Sequence, residues 1–183
     1  ELGHMEKTMG RQARSGDRVK TLVLTAVVAA MACAATLAVQ IPSPTGGYLN
    51  LGDAVVLLGA YLLGPGWGAA AGAVGPALAD LMTYPAYVPA TLLIKAVMGF
   101  AAGTLYSRLR TRGWGALVCG IVGEIPMVAG YWLYDALLVG SLAGSAAGVP
   151  ANLVQAVFGV AVSTLLATAL RRSSYVRREF PRL

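Results

Sequence analysis

Residues 21–41 read TLVLTAVVAAMACAATLAVQI, a stretch without a single charged side chain. A helix needs about 20 mostly apolar residues to cross a bilayer, so this stretch alone predicts a membrane span. The rest of the chain has the same character, since 57% of its 183 residues are apolar, 12% are charged and the mean hydropathy is +0.67. Soluble domains carry about 25% charged residues. The composition therefore excludes a soluble enzyme and a disordered tail, and it indicates an integral membrane protein.

Five more apolar runs follow, separated by clusters of glycine, proline and arginine. Together with the first they predict an all-α integral membrane fold with six transmembrane helices. The predicted helices cover residues 21–41, 52–63, 67–82, 90–106, 114–138 and 150–170. The chain is predicted to divide into a tag remnant with a basic cytoplasmic N-terminus (residues 1–20), the six-helix membrane domain (residues 21–170) and a basic cytoplasmic tail (residues 171–183).

The second predicted helix has about 12 residues, which is short for a bilayer. Backbone polar groups cannot face lipid unpaired, so a non-helical segment at membrane depth must be covered by protein or line a cavity. We therefore expect residues 42–50, which are rich in proline and glycine, to fold inward over the helices as the cover or wall of an outward-facing cavity. The alternative is a plain surface loop beside a short, tilted hairpin of helices.

The basic residues predict the orientation in the membrane. Thirteen of the fourteen lysines and arginines form three clusters, before residue 21, at residues 108–112 and at residues 171–182, and only Lys95 interrupts an apolar run. Basic residues that flank spans mark the cytoplasmic side, so both termini are predicted to be cytoplasmic. Because the clusters bracket apolar runs, we predict no nucleic-acid interface despite the net charge of +6. Residues 1–5 resemble a tag remnant and contain the only histidine, His4.

Ionisable side chains inside the predicted spans point to a functional site, because they are costly in lipid. Helical spacing places several polar and aromatic residues on shared faces of the fourth, fifth and sixth helices. Such faces predict a pocket with aromatic walls and a few placed polar groups, which suits a small, flat, polar heterocycle. The ionisable residues are Asp53, Asp80, Lys95, Glu124 and Asp135, and the residues that share faces with them or lie beside them include Tyr131, Trp132, Asn152 and Gln155.

Structural roles remain open for several of these residues. Lys95 and Glu124 could form an ion pair that serves only the fold. Tyr131 and Trp132 could be packing or interfacial aromatic residues. Asp53 could cap the N-terminus of the second helix.

Sequence motifs of enzymes are missing from the chain. It contains no Walker motif for nucleotide hydrolysis, no Gly-x-Ser-x-Gly, no cluster of metal ligands and no Cys-x-x-Cys. We therefore predict no catalytic residue, no metal and no cofactor. Cys33 and Cys119 lie in apolar runs, where free buried thiols are expected rather than a disulfide.

The sequence resembles the substrate-binding S components of energy-coupling factor (ECF) vitamin transporters, and within them the riboflavin-type branch that includes proteins for pyrimidine and pyridoxine-like vitamins. The resemblance covers roughly residues 21–170. It rests on GGYLNLGD at residues 46–53, GPG at residues 64–66, GAVG at residues 72–75, ADL at residues 79–81, PATLLIK at residues 89–95, and the glycines of residues 99–103.

This resemblance implies a multi-pass protein of a prokaryotic-type cell membrane that captures a water-soluble vitamin or precursor, such as pyridoxine, hydroxymethylpyrimidine or riboflavin, with high affinity from outside. A transmembrane coupling subunit and two ATP-binding subunits would then drive delivery. The resemblance also implies site residues: substrate contacts at Asn50, Lys95, Glu124, Tyr131 and Asn152, and docking on the coupling subunit at Ala26, Ala30 and Ala34. Trp132, Asp135 and Gln155 complete the predicted substrate site through their helix faces.

Two other classes of protein remain as alternatives. One is an autonomous, proton-coupled secondary transporter of a small solute that uses Asp80, Glu124 or Asp135 as a proton relay. The other is a structural or assembly protein whose charged side chains only pair with one another.

Overall fold

The computed structural model describes the backbone of residues 2–183 and the side chains from residue 17 onward. The predicted tag remnant and most of the basic N-terminal segment therefore lie outside the described side chains. The described chain forms eight α-helices and one two-stranded sheet. In chain order these are α1 (Leu2–Ala38), β1 (Gln40–Pro42), β2 (Tyr48–Asn50), α2 (Gly52–Leu63), α3 (Pro65–Thr83), α4 (Val88–Leu109), α5 (Gly115–Val139), α6 (Leu142–Ser145), α7 (Val149–Leu170) and α8 (Ser174–Glu179).

The short helix α2 lies at the centre of the bundle. It packs against α1, α3, α4 and α7, and ten of its twelve residues are buried. Around it, α3 packs on α1 and α4, and α5 packs on α4 and α7. A helix of this length is too short to span a bilayer, but protein surrounds it on all sides, so its backbone ends need not face lipid.

Four helical segments are long and apolar enough to cross a membrane, and α2 is a shorter apolar helix. The four segments are Asp17–Ala38, Pro85–Leu109, Gly115–Val139 and Leu142–Leu170. Their outward faces expose leucine, valine and phenylalanine side chains, as expected for lipid contact. These features confirm a helical, multi-pass membrane protein, whereas the number of six spans stays a prediction.

Small residues allow the helices to approach closely. A Cβ added at Gly75 on α3 would lie 2.4 Å from the carbonyl oxygen of Ala29 on α1. A Cβ added at Gly99 on α4 would lie 2.9 Å from the carbonyl oxygen of Gly68 on α3. These contacts involve backbone atoms, so a larger side chain at either glycine would push two helices apart.

Residues 40–50, predicted as the end of the first helix and a loop folded over the helices, form a short antiparallel β-hairpin in an otherwise helical structure. Gln40 pairs with Asn50, Ile41 with Leu49 and Pro42 with Tyr48. Because this pairing needs extended backbone, α1 ends at Ala38 and not at residue 41 as predicted. Gly46 allows the tight turn with its positive φ of 97°.

The opposite end of the bundle holds the C-terminal tail. The guanidinium of Arg171 donates to the hydroxyl of Tyr106 at 2.5 Å and to the carbonyl of Arg110 at 2.6 Å. Lys20 Nζ donates to Glu179 at 2.5 Å, which ties α8 to α1. The predicted tail therefore folds back onto the helices, with α8 as its one helix. The basic residues of this tail and of residues 108–112 lie at the end of the bundle opposite the hairpin.

Candidate functional site

The β1–β2 hairpin lies across one end of the bundle and is held there by hydrogen bonds to three different helices. The inward fold predicted for residues 42–50 is thus present, and the segment is not a plain surface loop. Its bonds to the bundle run from Thr45 Oγ1 to Asp135 Oδ2 on α5, from the Tyr48 hydroxyl to Asp80 Oδ1 on α3, and from the Asn50 backbone N–H to Gln155 Oε1 on α7.

A small polar cavity, with a free volume of about 30 Å³, lies beneath the hairpin. Its walls come from the hairpin and from α1, α3, α4, α5 and α7, so all five long helices contribute. The lining side chains are mostly hydroxyls, amides and carboxylates. The lining residues are Thr36, Ser43, Thr45, Gly47, Tyr48, Asn50, Pro76, Asp80, Tyr87, Thr91, Lys95, Tyr131, Asp135, Asn152 and Gln155.

Asp80 on α3 accepts one hydrogen bond at each of its carboxylate oxygens. The hairpin supplies one donor, the hydroxyl of Tyr48, and α4 supplies the other, Thr91 Oγ1 at 2.5 Å. Thr91 Oγ1 also shares a hydrogen bond of 2.7 Å with the hydroxyl of Tyr131. Burial, reinforced by the bond to Asp80, raises the pKa of Tyr48, so its hydroxyl stays protonated and remains a donor.

Asp135 on α5 has the same arrangement. Thr45 of the hairpin donates to Oδ2 at 2.6 Å, and Tyr87, in the 3-10 turn before α4, donates to Oδ1 at 2.8 Å. Gly148 brings the start of α7 close to this contact, because a Cβ added there would lie 2.6 Å from Thr45 Oγ1. Asp80 therefore links the hairpin to the hydroxyl of Thr91 in α4, and Asp135 links it to the hydroxyl of Tyr87 just before α4.

Lys95 on α4 forms a buried ion pair with Asp53 in the first turn of α2. The second oxygen of Asp53 accepts a hydrogen bond of 2.6 Å from Gln155 Nε2. Nζ of Lys95 also lies 5.4 Å from the centre of the Tyr131 ring, within the range of a cation–π contact. The charge of Lys95 is thus matched by a carboxylate behind the cavity wall.

Asp53 does not cap α2, which corrects one sequence interpretation. The residue before the helix is Leu51, and its side chain makes no capping bond. Instead Asn50 Oδ1 accepts the N–H of Gly52 at 2.8 Å, which leaves the Asp53 carboxylate free to pair with Lys95.

Six of the eight side chains predicted for the substrate site line this one cavity. The structure brings together Asn50, Lys95, Tyr131, Asp135, Asn152 and Gln155. They come from the hairpin, α4, α5 and α7, so the faces inferred from helical spacing do converge.

Glu124 and Trp132, by contrast, line an apolar groove between α5 and α7 and not the polar cavity. Glu124 is 3% exposed, and within the described residues neither carboxylate oxygen has a hydrogen-bond partner. A Cβ added at Gly159 on α7 would lie 2.6 Å from Glu124 Oε1. Lys95 pairs with Asp53 and not with Glu124. Trp132 Nε1 donates to the carbonyl of Leu142 at 3.1 Å.

Several residues that form contacts in the site were not identified as contact residues from the sequence. The hydroxyls of Thr45, Tyr48 and Tyr87 hold the two cavity carboxylates, and Asp80 had been named only as an ionisable residue within a span and as a possible proton relay. Hydroxyl residues in loops and at helix starts give no sequence signal of their own. The nearest signal was Tyr48 within the GGYLNLGD stretch.

The predicted docking residues Ala26, Ala30 and Ala34 are all exposed on the outer face of α1. The neighbouring positions Thr25, Ala29, Ala32 and Thr36 are buried against the bundle, so the two sets occupy different sides of the helix. Exposed Val23, Val27 and Met31 surround the alanines. The result is an apolar surface with a narrow stripe of small residues along it.

Among the side chains from residue 17 onward, no group of three histidine, cysteine, aspartate or glutamate residues could hold a metal ion. In the same part of the chain Cys33 and Cys119 are both free thiols, as predicted.

Comparison with known proteins finds a family and a relative that this chain resembles. The family model described as ECF-type riboflavin transporter, S component, matches residues 17–172. A protein of Pyrococcus woesei, described as "Uncharacterized protein in gap 3'region", is 38% identical over 139 residues. That similarity covers 75% of this chain and 92% of the relative.

Proposed function

This chain belongs to the family of ECF-type riboflavin transporter S components, and from that premise we propose that it captures one water-soluble vitamin or vitamin precursor in the cavity beneath the hairpin. Membership makes it a multi-pass protein of the plasma membrane that takes part in vitamin uptake and is not an enzyme. The candidate ligands are small heterocycles such as pyridoxine, hydroxymethylpyrimidine or riboflavin.

One observation carries the proposal: six side chains selected from the sequence surround a single covered polar cavity. Ligand sites are usually cavities of about 300–1,000 Å³ with a few placed polar groups. The free volume of about 30 Å³ beneath the hairpin is far below that range, so a vitamin can be admitted only when the hairpin moves.

The hairpin is the moving part in the proposed capture. Opening it requires breaking the bonds of Thr45 to Asp135, of Tyr48 to Asp80 and of the Asn50 N–H to Gln155. These bonds re-form or are replaced by bonds to the ligand when the hairpin closes, and water is then excluded from the bound vitamin. No bond within the vitamin is made or broken.

The proposed topology has six spans with both termini in the cytoplasm and the hairpin on the outer face. The support is that the arginines of residues 108–112 and 171–182 lie at the end of the bundle opposite the hairpin, as expected for the cytoplasmic side. Delivery would use a transmembrane coupling subunit docked on Ala26, Ala30 and Ala34, and two ATP-binding subunits that hydrolyse ATP.

Calorimetric titration of the purified chain in lipid nanodiscs tests the proposal, with pyridoxine, hydroxymethylpyrimidine and riboflavin as ligands. We expect one of them to bind with a Kd of about 1 μM or tighter, corresponding to about 8 kcal/mol. Asp135→Asn should weaken this binding at least tenfold, whereas Asp17→Asn, an exposed position of α1 that does not line the cavity, should leave it unchanged. Binding no tighter than about 1 mM for the whole panel would contradict the proposal.

Liposomes that contain the chain alone test the alternative mechanism. We expect no uptake of the bound vitamin when a proton gradient is the only energy source. Uptake under those conditions, without ATP-binding subunits, would identify a secondary transporter instead.

A further inference from the structure

We propose that the cavity selects heterocycles that are neutral or cationic and rich in hydrogen-bond donors, and that it rejects those bearing a carboxylate or a phosphate. This inference rests on the proposed function, because it assumes that the cavity beneath the hairpin holds the vitamin. It adds the charge class of the ligand, which family membership leaves open.

The charge balance of the site is the first observation. Among the side chains from residue 17 onward, Lys95 is the only lysine or arginine that lines the cavity, and its ammonium group forms a buried ion pair with Asp53. Asp80 and Asp135 also line the cavity, and neither forms an ion pair with any described lysine or arginine. The uncompensated charge of the cavity is therefore negative.

The partners of these two carboxylates are the second observation. All four of their hydrogen bonds come from hydroxyl groups, and one bond to each carboxylate comes from the movable hairpin. A carboxylate with hydroxyl donors acts as an acceptor. Ligand hydroxyl or amino groups can take the place of Thr45 and Tyr48 at Asp135 and Asp80 without leaving a buried charge unpaired.

Thr36 gives a third, independent indication of a ligand. Its side chain lines the cavity from α1, the residue is 1% exposed, and Oγ1 has no hydrogen-bond partner among the described residues. A buried hydroxyl without a partner is costly, and a bound polar molecule can satisfy it. Asn152 adds an amide at the α7 side of the same cavity.

The same carboxylates would disfavour an anionic ligand in this cavity. It would place a further negative charge beside Asp80 and Asp135 in a covered, poorly hydrated space, where like charges repel strongly. The cation that could offset it, Lys95, is already bound to Asp53, and recruiting Lys95 would leave Asp53 unpaired. Repulsion of this kind is an effective way to exclude wrong ligands.

Matched ligand sets test the selection in nanodiscs by calorimetry. The first set is pyridoxamine, pyridoxine and 4-pyridoxic acid, the second is hydroxymethylpyrimidine and its 5-carboxylate, and the third is riboflavin and its 5′-phosphate. For whichever set binds the wild-type protein, we expect the neutral or cationic member to bind at least 100-fold more tightly than the anionic member.

Asparagine variants test whether the two carboxylates cause the rejection. Asp135→Asn should reduce the ratio of affinities at least tenfold, and Asp80→Asn serves the same purpose if the first variant does not fold. Asp17→Asn is the matched control and should keep the full ratio. A carboxylate or phosphate ligand that binds the wild type as tightly as its neutral counterpart would overturn the inference, while leaving vitamin capture itself supported. If no set binds at all, the proposed function fails and the inference fails with it.

Discussion

Nζ of Lys95 on α4 is paired with Oδ1 of Asp53 on the first turn of α2, and neither side chain is more than 2% exposed. The pair joins the central helix of the bundle to a helix of the cavity wall. Gln155 on α7 donates to the other oxygen of Asp53 and its own carbonyl oxygen accepts the Asn50 N–H of the hairpin. A single chain of polar contacts thus runs from the buried ion pair to the hairpin.

Breaking this ion pair should destabilise the protein more than removing both partners. Lys95→Met leaves Asp53 as a buried, unpaired charge, which costs about 3–5 kcal/mol. The double variant Lys95→Met/Asp53→Asn removes both charges and should recover a large part of that loss. Thermal unfolding in nanodiscs measures the stabilities of the wild type, of the single variants Lys95→Met and Asp53→Asn, and of the double variant. Single and double variants whose losses simply add would show that the pair is not a unit.

The hydroxyl of Tyr48 should hold the hairpin closed. Tyr48→Phe removes its bond to Asp80, and a hydrogen bond to a charged group contributes about 1.5–3 kcal/mol. Hydrogen exchange of the amides of residues 40–50 should accelerate by roughly ten- to a hundredfold, since each 1.36 kcal/mol is tenfold. Tyr175→Phe is the control, because Tyr175 on α8 is 61% exposed. An unchanged exchange rate in the Tyr48 variant would mean that the other hydrogen bonds of the hairpin are enough to hold it closed.

The close contact of α1 and α3 predicts that an alanine substitution destabilises the protein at one glycine of α3 and not at another. Gly75→Ala places a Cβ against the backbone oxygen of Ala29 at 2.4 Å, and such overpacking costs about 1–3 kcal/mol. Gly66→Ala, near the start of the same helix, meets no atom within 4 Å and should be neutral or slightly stabilising. Unfolding measurements on both variants decide the point, and equal stabilities would contradict the packing argument.

Helix positions were well predicted because apolar runs are long and their ends carry glycine or proline. The last predicted helix, residues 150–170, is Val149–Leu170 in the structure, and residues 114–138 are Gly115–Val139. The hairpin was missed as a β-structure because its strands have three residues each, too few for an alternating pattern. The inward fold of this segment could still be inferred. Because α2 is too short to span a bilayer, the segment before it was expected to lie at membrane depth, where its backbone must be covered by protein or line a cavity.

Site residues were predictable where a charge interrupts an apolar run, as for Lys95 and Asp135, and not where a hydroxyl does the binding. Thr45 and Asp135 are 90 residues apart, a relationship that spacing cannot reveal. Helical periodicity also predicts which face of a helix a residue lies on, but it does not show how deep in the membrane that residue lies. Glu124 and Asp135 share a face of α5, but eleven residues of helix separate them by about 16 Å, which is too long for one small cavity.

Glu124 therefore gives opposite predictions from its sequence pattern and from its place in the groove. As a substrate contact, its change to glutamine should weaken vitamin binding at least tenfold. Its carboxylate lies outside the cavity and has no partner among the described residues, so we expect Glu124→Gln to leave affinity unchanged. Stability should stay equal or rise by about 1 kcal/mol, because an unpaired buried carboxylate is replaced by a neutral group. Calorimetry and unfolding of one preparation measure both quantities.

The alanine face of α1 should be needed for transport and not for binding. Ala30 is exposed, so Ala30→Leu adds its bulk to the outer surface and should leave folding and vitamin affinity unchanged. On a surface where helices meet through small residues, the same bulk prevents close approach, and co-purification with the coupling and ATP-binding subunits should fall at least tenfold. Ala169→Leu, exposed on α7, is the matched control. Normal assembly of the Ala30 variant would place the partner on another face, whereas lost vitamin binding would point to damage within the bundle.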